Sequence, residues 1–381
     1  MNKIILILLA IALMTDVEAQ DLKTNHKDSH YEFTVTKEFQ STDVKNQNKS
    51  GTCWTYSTES FIESELLRMG KPKVDLSEMW IVRNAYADRA INYVRRQGHA
   101  QFAEGGEPHD VLNVIRKYGL VPETAYPGAN EKPNHVEMDA VLKAYLDAVI
   151  KQSILSDHWL DGFNGILDAY LGKRPESFTY DGKTFTPMSF AQYLGINPDD
   201  YIEFSSFTHH PFYKPFIIEV ADNWDNGFVY NLPLAEFTEV AENSAEKGYS
   251  IEWATDMSEK TFSFKNGIAI WPDTLWEDMG KKMQDSIFNY PVKQMVITQE
   301  MRQKAFDNLT TTDDHGMHII GTAKDQTGAP YFLVKNSWGT EKNDLKGYLY
   351  VSIPYFQLKT TCIMVNKNAV PKEIMKKIGL K

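Results

Sequence analysis

The chain has 381 residues, enough for two packed lobes, and a formal net charge of −11 at pH 7. An acidic chain without runs of basic residues argues against nucleic acid as a partner. Beyond the first twenty residues no stretch is long and apolar enough to form a membrane-spanning helix, so a membrane protein is not expected.

The N-terminus has the pattern of a signal peptide over residues 1–19. A basic start is followed by an apolar stretch at residues 4–14, and a small residue precedes the expected cleavage site before Gln20. The apolar stretch is too short to span a bilayer. We therefore expect an exported protein, periplasmic or extracellular. Residues 20–50 are polar and are expected to form an irregular N-terminal extension.

The next segment predicts a helix that starts near Cys53. A mostly apolar stripe recurs at helical spacing and ends before Gly70 and Pro72. The stripe consists of Trp54, Thr58, Phe61, Ile62, Glu65 and Leu66. Cys53 is then in the first turn, where unpaired N–H groups and the helix dipole favour a thiolate, the form that attacks carbonyl carbons.

Cys53 has two interpretations at this point. Gln47, six residues upstream in a loop, could direct its amide at an oxyanion together with the backbone N–H of Cys53, which would suit a nucleophile. A buried, inert cysteine at the start of a core helix is the commoner setting for an isolated thiol. Later segments favour the first interpretation.

The hydrophobic pattern divides the rest of the chain into three parts. Residues 51–134 predict a helical lobe, and residues 135–200 predict a helical insertion with an amphipathic pattern in its first part. Residues 201–381 predict a second, barrel-like lobe. Its expected strands are the apolar runs 216–220, 267–271, 331–334 and 348–353. Aromatic residues are frequent between positions 201 and 230, and we expect them to fill a core.

A predicted hairpin near the C-terminus supplies partners for the thiol. One strand starts at His315, and the other ends at Asn336, which is followed by Trp338. In a Cys-His-Asn set the imidazole takes the thiol proton, and the amide oxygen of the Asn accepts from the other ring nitrogen and fixes the ring.

His318 and Cys362 have other possible roles. His318 could pair with His315 as metal ligands or replace it as the base. Residues three apart on a strand face opposite sides, however, and the Glu of a zinc-peptidase helix does not follow His315. No metal or cofactor site is therefore predicted. Cys362 lies in an apolar run and is expected to be a buried core thiol.

These segments together resemble the papain family of cysteine peptidases. The resemblance rests on four pieces in the family's order along almost the whole mature chain: Gln47 with Cys53-Trp54, Gly105-Gly106, Asp314-His315 with Gly321, and Lys335-Asn336-Ser337-Trp338-Gly339. Ser50 stands where papain-type enzymes usually have a disulfide-forming Cys. The separation of Cys53 from His315 far exceeds the roughly 130–150 residues typical of papain. Both departures favour the branch of bleomycin hydrolase and bacterial aminopeptidase C.

The resemblance implies an α+β, two-lobe papain-like fold with a helical insertion, and it implies roles for individual residues. Cys53 would be the nucleophile, with His315 as the proton shuttle. Only His315 has the preceding Asp and the Gly six residues later that the family shows, so His318 would be a packing residue. Asn336 would orient His315, and Gln47 would help to hold the oxyanion. The shielding of the His-Asn pair is assigned to Trp338, and Gly105 and Gly106 are expected to lie along the substrate, where missing side chains let a peptide backbone approach.

The same resemblance implies an aminopeptidase, because in this branch the C-terminal end of the chain enters the cleft and its carboxylate receives the free amine of the substrate. The tail at residues 371–381 is shorter than the family's usual ending, so this role stays open against a solvated, basic end. A broad-specificity endopeptidase and a non-catalytic peptide-binding protein are the alternatives.

Assembly and host are also expectations from the sequence. The branch forms hexameric cages through its helical insertion, so a homo-oligomer is expected, although the apolar stripe of the insertion could instead fold back on its own lobe. Asn48 starts an N-glycosylation pattern, and a glycan there would crowd the nucleophile. This position favours a bacterial host.

Overall fold

The computed structural model describes residues 23–129 and 132–380. The predicted signal peptide lies outside these residues. Among the helices that are described, none combines the length and the apolar character that crossing a membrane requires.

The described residues form eleven α-helices and thirteen strands. The helices are α1 (Cys53–Arg68), α2 (Glu78–Arg95), α3 (Pro108–Tyr118), α4 (Val136–Val149), α5 (His158–Leu171), α6 (Pro187–Leu194), α7 (Leu234–Glu246), α8 (Lys281–Ser286), α9 (Gln299–Asp307), α10 (Ile353–Lys359) and α11 (Lys372–Lys377). The strands are β1 (Thr34–Glu38), β2 (Phe178–Tyr180), β3 (Lys183–Phe185), β4 (Tyr201–Ser205), β5 (Pro215–Ile217), β6 (Phe228–Asn231), β7 (Ile251–Thr255), β8 (Phe262–Ser263), β9 (Ile268–Ala269), β10 (His315–Lys324), β11 (Pro330–Lys335), β12 (Tyr348–Ser352) and β13 (Thr360–Asn366).

Helix α1 lies between the two lobes and is buried along nearly its whole length. One side packs on α2 and α3, and the other packs on β7 and β10. The predicted start of this helix is confirmed, since its first residue is Cys53. This placement puts the first turn of α1 where the helical lobe meets the sheet.

One large mixed sheet forms the second lobe. Its strand order is β5-β6-β4-β13-β7-β10-β11-β12-β9-β8, and β1 pairs with β10 beside this path. The predicted hairpin is confirmed as the antiparallel pair β10 and β11. His318 and its β7 partner Glu252 face α1, through Ser60 and Ser57 respectively. Because strand side chains alternate, the neighbouring residues in β7 and β10 face the other side of the sheet. There they form an apolar cluster with side chains of α7 and α10.

The prediction that residues 20–50 are irregular is wrong for the middle of this segment, which forms strand β1. Strand β1 pairs with β10 through the register Thr34 with Lys324. Tyr31 and Phe33, just before the strand, are fully buried, and the Phe33 ring stacks on Tyr350. These aromatic side chains bury enough apolar area to hold an otherwise polar segment on the sheet.

The predicted helical insertion folds back on the helical lobe. Leu142 and Leu146 of α4, and Phe163 and Leu167 of α5, are buried in the same apolar cluster as α2. The stripe therefore packs within the chain. After α5, residues 178–185 form the hairpin of β2 and β3, which differs from the all-helical prediction because aromatic pairs such as Phe178 with Phe185 stabilise strand pairing.

The described part of the C-terminal tail packs on α7. Ile374 and Ile378 are buried in the cluster on the sheet face opposite α1. Lys377 Nζ lies 2.8 Å from Glu236 Oε1 at the start of α7. Within the described residues, up to Leu380, the tail has no hydrogen bond to Gln47, Cys53 or His315. Lys381 lies outside the described residues, and the alternative of a solvated tail is wrong for this helix.

Candidate active site

Cys53 is half-buried at the first position of α1, next to the start of β10. Backbone N–H groups of Gly316 and Trp54 are directed at its sulfur and favour the thiolate. Gly316 permits this close approach, because a Cβ there would lie 2.6 Å from Ser57 Oγ and 3.4 Å from the Cα of Trp54. The thiol therefore lies at the start of β10, against the backbone of the residue that follows His315.

The His315 ring is held by Asn336. His315 Nε2 lies 2.8 Å from Asn336 Oδ1, and the same oxygen accepts the backbone N–H of Ser337 at 2.7 Å. A backbone N–H can only donate, so this atom of the Asn336 amide is its oxygen. His315 must then carry its proton on Nε2. The lone pair of the neutral ring is on Nδ1, the nitrogen that remains to accept a proton.

Trp338 covers the His315–Asn336 pair. Its ring centroid lies 4.8 Å from that of His315, at an interplanar angle of 32°. Phe264 meets the other side of the indole edge-on, with centroids 4.9 Å apart. Excluding water from a hydrogen bond strengthens it, so the packing stabilises the ring orientation.

Gln47 is fixed to the segment that follows Asn336. Its backbone N–H donates to Ser337 O at 2.8 Å, and its Oε1 accepts from Ser337 Oγ at 2.6 Å. In the described part of the chain, Nε2 of Gln47 has no acceptor. The structure thus links Gln47, Asn336 and His315 through Ser337 and places Cys53 at the backbone of Gly316, and the Nε2 group of Gln47 is left to donate.

Burial opposes charge on both the thiol and the imidazole. It raises the pKa of Cys53 to about 12, and nearby Asp313 and Asp222 act in the same direction. Burial also lowers the pKa of His315 to about 4, against the effect of its hydrogen bond to Asn336. Desolvation therefore acts against the thiolate that the helix terminus is expected to favour. Proton transfer from thiol to imidazole would create an ion pair whose mutual attraction offsets both desolvation costs.

His318 lies on the opposite side of β10 and belongs to the core. Its Nδ1 is 2.8 Å from Ser60 Oγ, and its ring meets Phe61 edge-on. Lys335 Nζ donates to the same hydroxyl at 2.9 Å, so the hydroxyl proton is left for His318 Nδ1, and the imidazole is neutral. The packing role predicted for His318 is confirmed. Cys362 is likewise a free, fully buried thiol, as predicted.

Gly105 and Gly106 border the site beside Trp54, but protein atoms fill the spaces that their side chains would take. A Cβ on Gly106 would lie 3.0 Å from the Trp54 ring, and one on Gly105 would lie 1.9 Å from Asp222 Oδ2. The predicted reason for glycine, approach of a substrate backbone, is thus incomplete. Sequence reasoning missed Asp222, because nothing in its turn-rich segment distinguishes it from a surface loop residue.

Two groups of side chains outside this site have ligand types that metals use, and both are internally paired. His109 binds Glu203 and Asp225 through its two ring nitrogens, at 3.1 and 3.0 Å. His209 and His210 both bind the carboxylate of Glu219. In each group the ring nitrogens and the carboxylates are thus hydrogen-bonded to one another.

The sequence matches two families of known proteins. Residues 169–380 match the Peptidase C1-like family, and residues 31–154 match the papain family cysteine proteases. The first match alone covers more than half of the chain.

The chain belongs to the Peptidase C1-like family.

Named relatives place this C1-like peptidase in the predicted branch. It is 25% identical over 391 residues to aminopeptidase W of Lactobacillus delbrueckii subsp. lactis, covering 90% of this chain and 85% of the relative. It is 22% identical over 403 residues to aminopeptidase C of Streptococcus thermophilus, covering 93% and 87%. Over 386 residues it is 23% identical to bleomycin hydrolase of Rattus norvegicus, covering 87% and 82%. The predicted family and the prediction of a cysteine peptidase are confirmed.

A solved structure supports the fold of this C1-like peptidase. The crystal structure of PepW from Lactobacillus rhamnosis has a TM-score of 0.70 to this chain at 21% identity, covering 91% of this chain and 84% of the other. The predicted papain-like α+β fold is therefore confirmed.

Proposed function

We propose that this C1-like peptidase removes N-terminal residues from peptides, with Cys53 as nucleophile, His315 as proton shuttle and Asn336 as its positioning residue. One observation supports this most: the single Asn336 oxygen that accepts from His315 Nε2 and Ser337 N leaves the lone pair of His315 on Nδ1. A neutral imidazole in this tautomer beside a thiol is the arrangement that nucleophilic catalysis requires.

The first half-reaction starts with attack of the Cys53 sulfur on the peptide carbonyl carbon. The thiol proton moves to His315 Nδ1, and the carbonyl π electrons move to the oxygen. The Gln47 Nε2–H and the backbone N–H of Cys53 donate to this oxyanion, and fixed donors of this kind cost no reorganisation as charge develops. Collapse of the tetrahedral intermediate breaks the C–N bond, and His315 gives its proton to the leaving amine.

The second half-reaction frees the N-terminal residue. His315, now neutral, takes a proton from water, and the resulting hydroxide equivalent attacks the thioester carbonyl. The C–S bond breaks, and Cys53 is restored as a thiol by the proton on His315. The Trp338 ring over His315 keeps bulk water away from the His315–Asn336 bond during both halves.

The aminopeptidase assignment draws on the named relatives, since aminopeptidase W and aminopeptidase C each match about nine-tenths of this chain. An amino-terminal fluorogenic amide and its N-acetylated twin test the assignment. We expect cleavage of the free-amine substrate and little cleavage of the blocked one. Cleavage of the blocked substrate alone would contradict it and favour the endopeptidase.

The broad-specificity endopeptidase is the second candidate, and the tail favours it. Ile374 and Ile378 hold the tail on the sheet face opposite α1, so the described tail does not occupy the cleft. A non-catalytic peptide-binding protein is the third candidate. A thiol-directed epoxide distinguishes it: we expect stoichiometric labelling of Cys53 that is lost in His315→Ala, whereas a peptide-binding protein would show no such dependence.

Export and assembly are further parts of the proposal. The signal peptide at residues 1–19 directs a bacterial protein to the periplasm or the medium, and mass measurement of the N-terminus after expression with its leader tests this. Exposed apolar side chains on the insertion, including Val136 and Ile154, support a homo-oligomer, with a hexamer as the form of the branch. Light scattering that gives about the chain mass at micromolar concentration would refute the oligomer.

A further inference from the structure

The loop between β5 and β6 reaches from the sheet across to the helical lobe. Trp224 Nε1 donates to Asp110 Oδ2 of α3 at 2.9 Å, and Asn92 Nδ2 of α2 donates to Trp224 O at 2.7 Å. Asp225 Oδ1 lies 3.0 Å from His109 Nε2, also on α3. Three separate bonds to two helices hold the loop in one position, so its side chains are fixed relative to the site.

Asp222 is the residue that this loop places against Gly105. Its Oδ2 lies 1.9 Å from the position that a Cβ on Gly105 would occupy, so a side chain at Gly105 would displace the carboxylate. Its Oδ1 accepts from Gln101 Nε2 at 2.5 Å. The side chain is thus oriented by a neutral donor and rests on the backbone that borders the cleft.

The second oxygen of Asp222 is free to bind a ligand. No donor in the described ranges reaches Oδ2, and Asp222 is only half-buried. Arg89, a buried cation whose charge acts on Asp222, donates its hydrogen bonds elsewhere: its guanidinium donates to the backbone oxygens of Ala103 and Gly105, and it lies 3.9 Å from Asp110. A carboxylate oxygen without a cation therefore faces the Gly105 side of the site.

The chemistry of the site fixes which part of a substrate lies on this side. His315 must protonate the leaving amine, so the residues after the scissile bond leave toward His315 and Trp338. The acyl part then lies on the other side of Cys53, toward Gly105 and Gly106. Asp222 is near enough to Cys53 for its charge to contribute to the raised pKa of the thiol.

We propose that Asp222 binds the α-ammonium group of the substrate's first residue and that the loop carrying it closes the cleft beyond that residue. The proposal rests on the function proposed above and replaces the C-terminal carboxylate as the determinant of aminopeptidase specificity. A carboxylate and an ammonium ion form a charge-assisted hydrogen bond, which is stronger in a half-buried cleft than in water. A peptide with residues before the cleavage site would meet the loop instead.

The charge state of Asp222 gives the proposal a pH dependence. Burial raises its pKa to about 6, assisted by Asp313, Glu104 and Asp110 and opposed by Arg89. The carboxylate is charged above that pH and neutral below it, while a peptide α-amino group stays protonated up to about pH 8. Affinity for free-amine substrates should therefore fall as the pH drops through 6, and affinity for N-acetylated substrates should not change in this way.

The direct test compares Asp222→Asn with Glu104→Gln on a set of aminoacyl coumarin amides and their N-acetylated twins. Glu104 is an exposed carboxylate on the same rim, so its substitution removes an equal charge nearby. We expect Asp222→Asn to lower kcat/KM for free-amine substrates by about 10- to 100-fold, mainly through KM, as for loss of a charge-assisted hydrogen bond. N-acetylated substrates should be cleaved as before or faster. Glu104→Gln should change either rate by about twofold or less.

Different measurements would contradict the role of Asp222 and the proposed peptidase function. An unchanged ratio of free to blocked cleavage in folded, epoxide-reactive Asp222→Asn would overturn the role of Asp222 alone. Wild-type protein that cleaves neither substrate through Cys53 would overturn the proposed function. If Asp222→Asn does not fold, the wild-type pH profile decides: a ratio of KM values that is flat between pH 7 and 5 would overturn the role of Asp222.

Discussion

His315 and Asn336 lie 2.8 Å apart, measured from Nε2 to Oδ1, although 21 residues separate them in the chain. The antiparallel pairing of β10 and β11 brings the first residue of one strand beside the residue that follows the other. The imidazole is oriented by a side chain on the same hairpin, and Cys53 needs only the packing of α1 on β10 to meet it.

The role of the thiol predicts the behaviour of two cysteine variants. Cys53→Ser should fold normally and lose essentially all hydrolysis, because a hydroxyl is a far poorer nucleophile than a thiolate paired with imidazolium. Cys362→Ala is the matched control and should keep its turnover, with a stability loss of about 1 kcal/mol. Steady-state kinetics and thermal unfolding measure both. Near-wild-type turnover in Cys53→Ser would end the proposed mechanism.

The hydrogen bond between His315 and Asn336 predicts a smaller effect for the amide. Asn336→Ala should lower kcat/KM by about tenfold, the size expected when one hydrogen bond of roughly 1–1.5 kcal/mol is lost. His315→Ala should cost much more, because it removes the proton acceptor. Parallel measurement of kcat/KM for the two variants checks the order, and an equal loss in both would show that Asn336 does more than orient the ring.

The core position of His318 predicts a loss of stability without a loss of chemistry. His318→Ala removes contacts to Ser60 and Phe61 and should lower the free energy of unfolding by about 1–3 kcal/mol, with kcat nearly unchanged in the folded protein. Denaturant unfolding and kinetics test this. An inactive His318→Ala beside an active His315→Ala would mean that the base has been assigned to the wrong histidine.

The same variant should change the pH dependence of stability. Burial, followed by the charge of Lys335, holds the pKa of His318 well below its ordinary value of 6.5. The unfolded chain then binds a proton that the folded chain does not, so His318 contributes stability above pH 6.5 that is lost as the pH falls. Between pH 6.5 and 5, the wild-type free energy of unfolding should fall more steeply than that of His318→Ala, by up to about 1.4 kcal/mol per pH unit. Parallel slopes would show that His318 titrates normally in the fold.

The packing of the tail predicts that it does not gate specificity. Deleting residues 378–381 should lower stability by about 1–2 kcal/mol through loss of the buried Ile378 side chain. The ratio of free to blocked substrate cleavage should stay as in the wild type. Ile378→Ala in the full-length chain is the control for stability. A fall in that ratio on deletion, but not in Ile378→Ala, would place the terminal carboxylate in the cleft after all.

The sequence by itself determined the elements that carry the proposed catalytic residues. Helical spacing after Cys53 and strand patterns on both sides of a turn are local signals, and α1, β10 and β11 formed where these signals indicated. Residue types suited to nucleophilic catalysis, together with the family resemblance, identified the candidate site residues Gln47, Cys53, His315 and Asn336. Local periodicity sufficed for Cys53, His315 and Asn336 because each stands at, or directly after, the end of an element, whereas Gln47 lies in a loop.

Tertiary structure decided what lies around those residues. Burial raises the pKa of Cys53, an effect that its position at the start of a helix did not indicate. Pairing of β1 with β10, return of α4 and α5 to their own lobe, and packing of α11 on α7 all depend on apolar area buried between distant segments. Asp222 meets Gly105 across more than one hundred residues of chain, through a loop without a periodic pattern. Such a contact has no local signature, because it is stabilised by hydrogen bonds to α2 and α3 that form only when the two lobes meet.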